Sequence, residues 1–303
     1  AAFFRHVFLF DQRLNQISPR EFGFNYDSAS PQGQSAPFFN VSGYSPVGGS
    51  ITGPRTSAQT SWEVADSLSL TRGRHSWKMG AEVRRLHLNM FQAIAPNAFF
   101  VFAPTPPYGD GFANLLLGRP AVFYQGLGDL SRGMRGWETS LYAQDEWRVG
   151  RTLTLNYGLR WEVNTPLTEV RDRANAFVPG QQSTVRPEAP RGLLFPGDEG
   201  VAAGVAPVFR KGFMPRFGVA WNPDGRGLLS VRAGYGIFFD PFANGSGVAS
   251  QVPVSSLPST QLIQFSGPSV NFTNPYGSTN RPAPGTFPLP LTLVVRVMPM
   301  AMA

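Results

Sequence analysis

From Leu153 onward, polar and apolar residues alternate without a break in the stretch TSLYAQDEWRVGRTLTLNYGLRWEV (residues 139–163). Leu153, Leu155, Tyr157, Leu159, Trp161 and Val163 fall on one side; Thr154, Asn156, Gly158, Arg160 and Glu162 fall on the other. A period of two predicts a β-strand, and a face that is wholly apolar has to be covered by a protein core or by lipid. Two further stretches carry the same pattern. Trp77, Met79, Ala81 and Val83 alternate with Lys78, Gly80, Glu82 and Arg84. Phe217, Val219 and Trp221 alternate with Arg216, Gly218 and Ala220, and after a turn Leu229, Val231, Ala233, Tyr235, Ile237 and Phe239 alternate with Ser230, Arg232, Gly234, Gly236 and Asp240.

The punctuation predicts three hairpins. One runs near 61–88, with strands near 61–70 and 75–88 around Gly73. The second, 139–163, turns at Gly150-Arg151, and the third, 214–240, turns at Asn222-Pro223-Asp224-Gly225. Long connections over 91–138, 164–212 and 241–290, rich in Gly, Pro and polar residues, separate and follow them. Structureless connections of that length are unusual in a compact water-soluble domain. Short turns at one end and long loops at the other are the rule in outer-membrane barrels. DGFANLLLGRP (110–120) has an Asp N-cap, an apolar cluster and a Gly-Arg-Pro stop, which predicts one short helix in the first long loop.

Composition sharpens the choice between core and lipid. Only 15% of residues are charged, against about a quarter in ordinary soluble proteins. Gly (33), Pro (28) and Phe (25) favour strands and turns over helices. No apolar run reaches the roughly 20 residues of a spanning helix, but a spanning strand needs only about 9–11 and alternates. The polar sides of the strands carry Arg, Glu, Asn and Gly, which a dry core would not accept. Trp77, Trp147, Trp161, Trp221 and Tyr235 stand on the apolar sides as candidates for the aromatic girdles that mark membrane interfaces. The fold class expected is therefore all-β: an antiparallel transmembrane β-barrel with short periplasmic turns and long extracellular loops. Glu82, Arg84, Arg160, Glu162, Arg232 and Asp240 are candidates for its lumen face.

The net charge of +7 and pI of about 10.1 do not point to nucleic acid. All but Lys78 and Lys211 of the 26 basic residues are Arg, scattered singly rather than clustered. There is no cysteine, hence no disulfide or thiolate metal site. His6, His75 and His87 are dispersed without a second ligand at metal spacing. Gly234-Tyr235-Gly236 lies inside a strand, where it cannot open a dinucleotide-binding helix. Ser246 lacks the spacing and the His partner of a catalytic elbow. No catalytic, metal or cofactor-binding residue is assigned, and the protein is not expected to be an enzyme. Asp145 falls on the apolar side, where an interface-level pairing with an Arg of a neighbouring strand is expected.

SLYAQDEWRVGRTLTLNYGLRWEVNTPLTEVRDRANAF resembles a hairpin that recurs in TonB-dependent outer-membrane receptors of the Oar-like type. FMPRFGVAWNPDGRGLLSVRAGYGIFFD is similar to that family's next hairpin, LTRGRHSWKMGAEVRRLHLN to one of its strands, and GFANLLLGRP to its loop helix. The resemblance covers about 60–242, with NPYGS at 274–278 a weaker match. It implies a barrel of about 22 strands with an N-terminal plug. Its implied function is energised uptake or passage of a large substrate (glycan, peptide or protein) across the bacterial outer membrane, driven by the TonB complex acting through the plug.

Neither plug nor TonB box is found in the sequence, AAFFRHVFLF reads as the interior of a longer chain, and LPLTLVVRVMPMAMA departs from the family's C-terminal strand. An internal barrel fragment of roughly eight to ten strands is expected. Phe99, Phe100, Phe102, Tyr108, Phe123 and Tyr124 are candidate ligand contacts in the loops, or else residues that pack them. The alternatives are a non-transporting outer-membrane surface protein, adhesive or structural, and a soluble extracellular β-sandwich.

Overall fold

The computed structural model describes residues 1–10, 17–30, 34–53, 55–92, 94–129, 131–226, 228–239 and 260–277. Its strands are, in chain order, β1 (Ala2–Phe10), β2 (Phe38–Val41), β3 (Val47–Gly48), β4 (Arg55–Arg72), β5 (His75–Gln92) and β6 (Phe99–Phe102). After helix α1 (Gly111–Leu116) come β7 (Val122–Gly128), β8 (Ser131–Arg148), β9 (Leu153–Asn164) and β10 (Thr168–Glu169). The last are β11 (Ala176–Phe177), β12 (Leu193–Leu194), β13 (Gly212–Trp221), β14 (Val231–Gly236) and β15 (Thr260–Ser266).

The main sheet follows the order β1-β4-β5-β8-β9-β13-β14, with β10 added beside β8. Every pairing in it is antiparallel. The turns fix its register. Gly73, at φ +60, takes the left-handed conformation that lets Arg72 oppose His75, and every later pair of this hairpin follows from that one. Gly225, at φ +63, closes the Asn222-to-Gly225 turn between β13 and β14. All three short turns lie at one end of the sheet. The described parts of the connections 11–54, 93–130 and 165–211 belong to the other.

β4, β5 and β8 each run 18 residues, or about 60 Å at 3.3 Å per residue. A spanning strand needs about 9–11 residues, so these three continue well past a bilayer at the loop end. The predicted hairpins are present with longer strands than the pattern suggested. β8 begins at Ser131, inside what reads as a loop, and β14 ends at Gly236, short of the expected 240. With β10 beside the seven strands of the main path, the sheet has eight strands among the described residues, at the lower end of the expected range.

The polar face of this sheet is tightly fitted. A Cβ on Gly80 would lie 2.6 Å from the Tyr142 ring, so the missing side chain is what lets the tyrosine lie across β5.

A second sheet, in the order β15-β7-β6-β2-β3, gathers segments from the 11–54 and 93–130 connections and from the chain that follows β14. Its pairings are antiparallel except β2 with β6, which run parallel. Phe100, Phe102 and Phe123 are fully buried in its core, with Tyr26, Leu127 and Phe265 around them. Phe39 stacks on Phe100 at 5.7 Å between centroids, and Phe272 meets Phe24 edge-on at 5.1 Å. The two core tyrosines are partnered: Tyr26 Oη donates to the Asn97 carbonyl at 2.8 Å, and Tyr276 Oη donates to Gln125 Oε1 at 2.6 Å. α1 stands where the capping pattern placed it. Asp110 accepts from the Ala113 N–H at 2.7 Å, and Asn114 Nδ2 anchors the helix to the Ala103 carbonyl at 3.0 Å.

Candidate functional site

The register brings one side of every main-sheet strand into a common surface. Arg84 on β5 stands opposite Glu63 on β4 and Glu138 on β8, while Glu82, Ser140 and Glu162 share the next row of the same parity. The Arg84 guanidinium bonds Glu63 Oε2 at 2.8 and 3.0 Å, Glu82 Oε1 at 3.0 Å and Glu138 Oε2 at 3.0 Å. Beside it, Arg160 Nε donates to Glu162 Oε2 at 3.3 Å and Asn164 Nδ2 to Glu162 Oε1 at 3.4 Å. Four carboxylates thus surround two guanidinium groups, leaving a local excess of negative charge.

These side chains are neither buried nor free, with 18% of Glu138 and 35% of Arg84 exposed. A fully buried cluster would face a heavy desolvation cost and a fully exposed one would be weak. This one lies between the two, partly exposed, with most of its donors and acceptors already engaged.

Of the lumen candidates, Glu82, Arg84, Arg160 and Glu162 converge here. Arg232 lies on the same face but further toward the turns, opposite Ala220, and is exposed. Asp240 lies outside the described residues. Glu63 and Glu138 are the members that sequence reasoning missed. Glu63 was within reach, because the turn pairs Arg72 with His75 and therefore Glu63 with Arg84. Glu138 falls at the end of the Gly-, Pro- and polar-rich 91–138 connection, which hides the extension of β8 back to Ser131.

The opposite face is apolar and open, with 47% of Leu141, 47% of Leu159 and 50% of Phe217 exposed. All six tryptophans of the chain point to this side. Trp77, Trp147 and Trp221 sit toward the turns, and Trp62, Trp137 and Trp161 toward the loops. Two aromatic belts separated by aliphatic residues are the arrangement that a lipid-facing wall requires. Tyr235 also points outward, opposite Phe217, and is exposed.

Near the turn end Asp145 is buried on this face. It accepts from His75 Nδ1 at 2.6 Å and from Tyr157 Oη at 2.7 Å. Its partners are therefore a histidine and a tyrosine rather than the expected arginine. The His75 ring is itself stacked between Trp77 and Trp147, at 5.4 and 5.5 Å. That sandwich lies beside a carboxylate that is buried, whereas Asp66, also on this face, is exposed.

The loop aromatics divide. Phe100, Phe102 and Phe123 have no exposed surface and form the core of the second sheet, so they reach no ligand. Phe99 and Tyr124 stack on each other at 5.4 Å on the other side of that sheet and are half-buried, while Tyr108 is exposed. Physically, a Phe-Phe-Val-Phe run with no polar alternation is a buried strand as readily as a binding surface, and the long-range pairing decides.

Two carboxylates organise the 165–211 connection. Asp198 accepts from Ser183 Oγ, from the hydroxyl and N–H of Thr184, and from the N–H groups of Val185 and Phe195. Burial opposes its ionised form, but those bonds outweigh burial and hold it well below the usual carboxylate range. Glu169 is likewise buried. Desolvation acts to raise its pKa, but the Arg173 guanidinium at 2.8 Å and the N–H groups of Arg171 and Gly133 overcome it, holding the group at about 2. Among the described residues no three His, Asp or Glu side chains gather closely enough to hold a metal ion.

A family model described as an outer membrane beta barrel domain matches residues 4–301. No curated protein and no solved structure matches the chain.

Proposed function

Because the chain belongs to the outer membrane beta barrel domain family, and so to the bacterial outer membrane, we propose that it is part of the wall of a TonB-dependent receptor that takes up a large substrate. The observation that carries this reading is the cluster of Arg84 with Glu63, Glu82 and Glu138, beside Arg160 and Glu162, on the lumen face. A wide barrel needs something to close it, and an acid-rich, half-wetted surface in its wall is suited to dock the basic side of a plug. The docking would be by ion pairs that can be remade when the plug moves. The motif resemblance over about 60–242 supports the same reading. The substrate would meet the loop end first, where Tyr108, Phe99 and Tyr124 are the aromatic groups within its reach.

The test is uptake by the full-length protein in cells with and without a working TonB complex, together with crosslinking from Glu138→Cys to cysteines placed in the plug. Uptake that stops without TonB, with a crosslink to the plug, is expected. Passage or surface binding that is indifferent to TonB, with no crosslink, would instead make this a non-transporting surface barrel.

A further inference from the structure

The lipid-facing side of the wall carries a feature that neither lipid contact nor transport accounts for. At its loop end, Arg5, Thr60, His87 and Arg135 stand in one hydrogen-bond row across β1, β4, β5 and β8. Phe3, Trp62, Arg85 and Trp137 stand in the row of the same parity two residues nearer the turns. Three arginines and a histidine therefore point outward at the level of an aromatic belt. No Asp or Glu shares these two rows.

Among the described residues none of the four basic groups is paired with a carboxylate. Arg85 lies over the Trp137 ring at 4.7 Å and donates from Nε to His87 Nε2 at 3.3 Å, which leaves the imidazole proton on Nδ1 as a free donor. Arg135 donates to its neighbour's carbonyl, that of Met134, at 2.8 Å. The His87 ring meets Trp62 edge-on at 4.5 Å. Arg85 and Arg135 are diagonal neighbours on adjacent strands, and Arg5 is two strands beyond His87. With strands about 4.8 Å apart, the cations span about 15 Å along the wall.

Unneutralised like charges held together at a membrane surface are costly unless an anion completes them. By contrast, Asp145 has its His75 and Tyr157, and Arg84 has its three carboxylates. Since the short turns of such barrels are periplasmic, this patch faces the outer leaflet. We infer that Arg5, Arg85, His87 and Arg135, with Trp62 and Trp137 beneath them, form a binding site for the phosphorylated sugar headgroup of an outer-leaflet glycolipid. The arginines grip the phosphate oxygens, His87 donates to a phosphate or sugar oxygen, and the indoles lie against the acyl chains below. The span of the cations suits a headgroup that carries more than one phosphate.

The test uses the full-length protein, extracted from outer membranes in mild detergent and exchanged into vesicles. Retention of diphosphorylated lipid A, of the same lipid enzymatically stripped of phosphate, and of inorganic phosphate is measured by mass spectrometry. The wild type is expected to keep diphosphorylated lipid A preferentially. Arg85→Gln and Arg135→Gln are expected each to lower retention about fivefold, with Phe217→Leu, remote on the same face, unchanged. Heat-modifiable gel migration identifies any variant that fails to fold; in that case Arg85→Lys, which keeps the charge, is expected to retain most binding. Equal retention of the stripped lipid would overturn the inference in favour of nonspecific acyl contact. Competition by millimolar inorganic phosphate would reduce the patch to a general anion site, and retention unchanged in both Gln variants would remove it altogether.

Discussion

The wall and the loop-end sheet use the same kinds of residue in opposite ways. On the wall, Leu141, Leu159 and Phe217 are about half exposed; in the second sheet Phe100, Phe102 and Phe123 have no exposed surface at all. The wall's apolar face has lipid as its solvent, and alternation leaves the other face free to carry the ion pairs of Arg84. The second sheet supplies its own core, which it builds by folding aromatic segments from distant loops onto one another. An exposed hydrophobic residue thus marks a defect in one region and a designed surface in the other, and only the surroundings distinguish the two.

Exchanging the rules of the two regions gives the largest effect. Phe123→Ala is expected to cost the second sheet about 3–5 kcal/mol. Hydrogen exchange should then show β6 and β7 opening while the wall keeps its protection; loss of protection in both regions would mean that they fold as one unit. Leu159→Arg is expected to cost about 2–4 kcal/mol in refolding into lipid vesicles, whereas Asn156→Arg, on the lumen face, should cost little. Equal penalties at the two positions would erase the distinction between the faces. Arg84→Met is expected to cost about 1–3 kcal/mol by leaving Glu63, Glu82 and Glu138 without their shared cation. Replacing all three glutamates by Gln in the same background should recover part of that.

The most local effect is one of pH. Glu169 is held at about 2 in the folded loop against an ordinary value of 4.5, so its contribution is complete above about pH 4.5 and is lost as pH falls toward 2. Tryptic cleavage near Arg171 after brief incubation at each pH should follow that window in the wild type and be flat in Glu169→Gln.

The sequence makes the wall legible because its information is local. Alternation names the faces, and a two-residue turn at Gly73 fixes which residues meet, so Glu63 against Arg84 is already implied by Arg72 against His75. The Asp110 cap and the Gly118-Arg119-Pro120 stop likewise announce α1. The second sheet is hidden for the opposite reason. Phe38 pairs in parallel with Phe99, and Phe265 pairs with Phe123, so its core is assembled from segments far apart in the chain with no local period to mark them. The partners of Asp145 were hidden more subtly. His75 and Tyr157 lie on two different flanking strands, and only the β5-β8-β9 register brings them to one carboxylate.

The most direct test of the account is a single-cysteine scan of 153–163, a segment whose 303-residue surroundings hold no cysteine, in the full-length protein in its native membrane with any cysteine elsewhere replaced. With a membrane-impermeant maleimide, Thr154, Asn156, Gly158, Arg160 and Glu162 should label from water. Leu153, Leu155, Tyr157 and Leu159 should react only after detergent removes the lipid. Labelling that is the same on both faces before detergent would contradict a lipid-facing wall, and with it the outward glycolipid site and the lumen cluster alike.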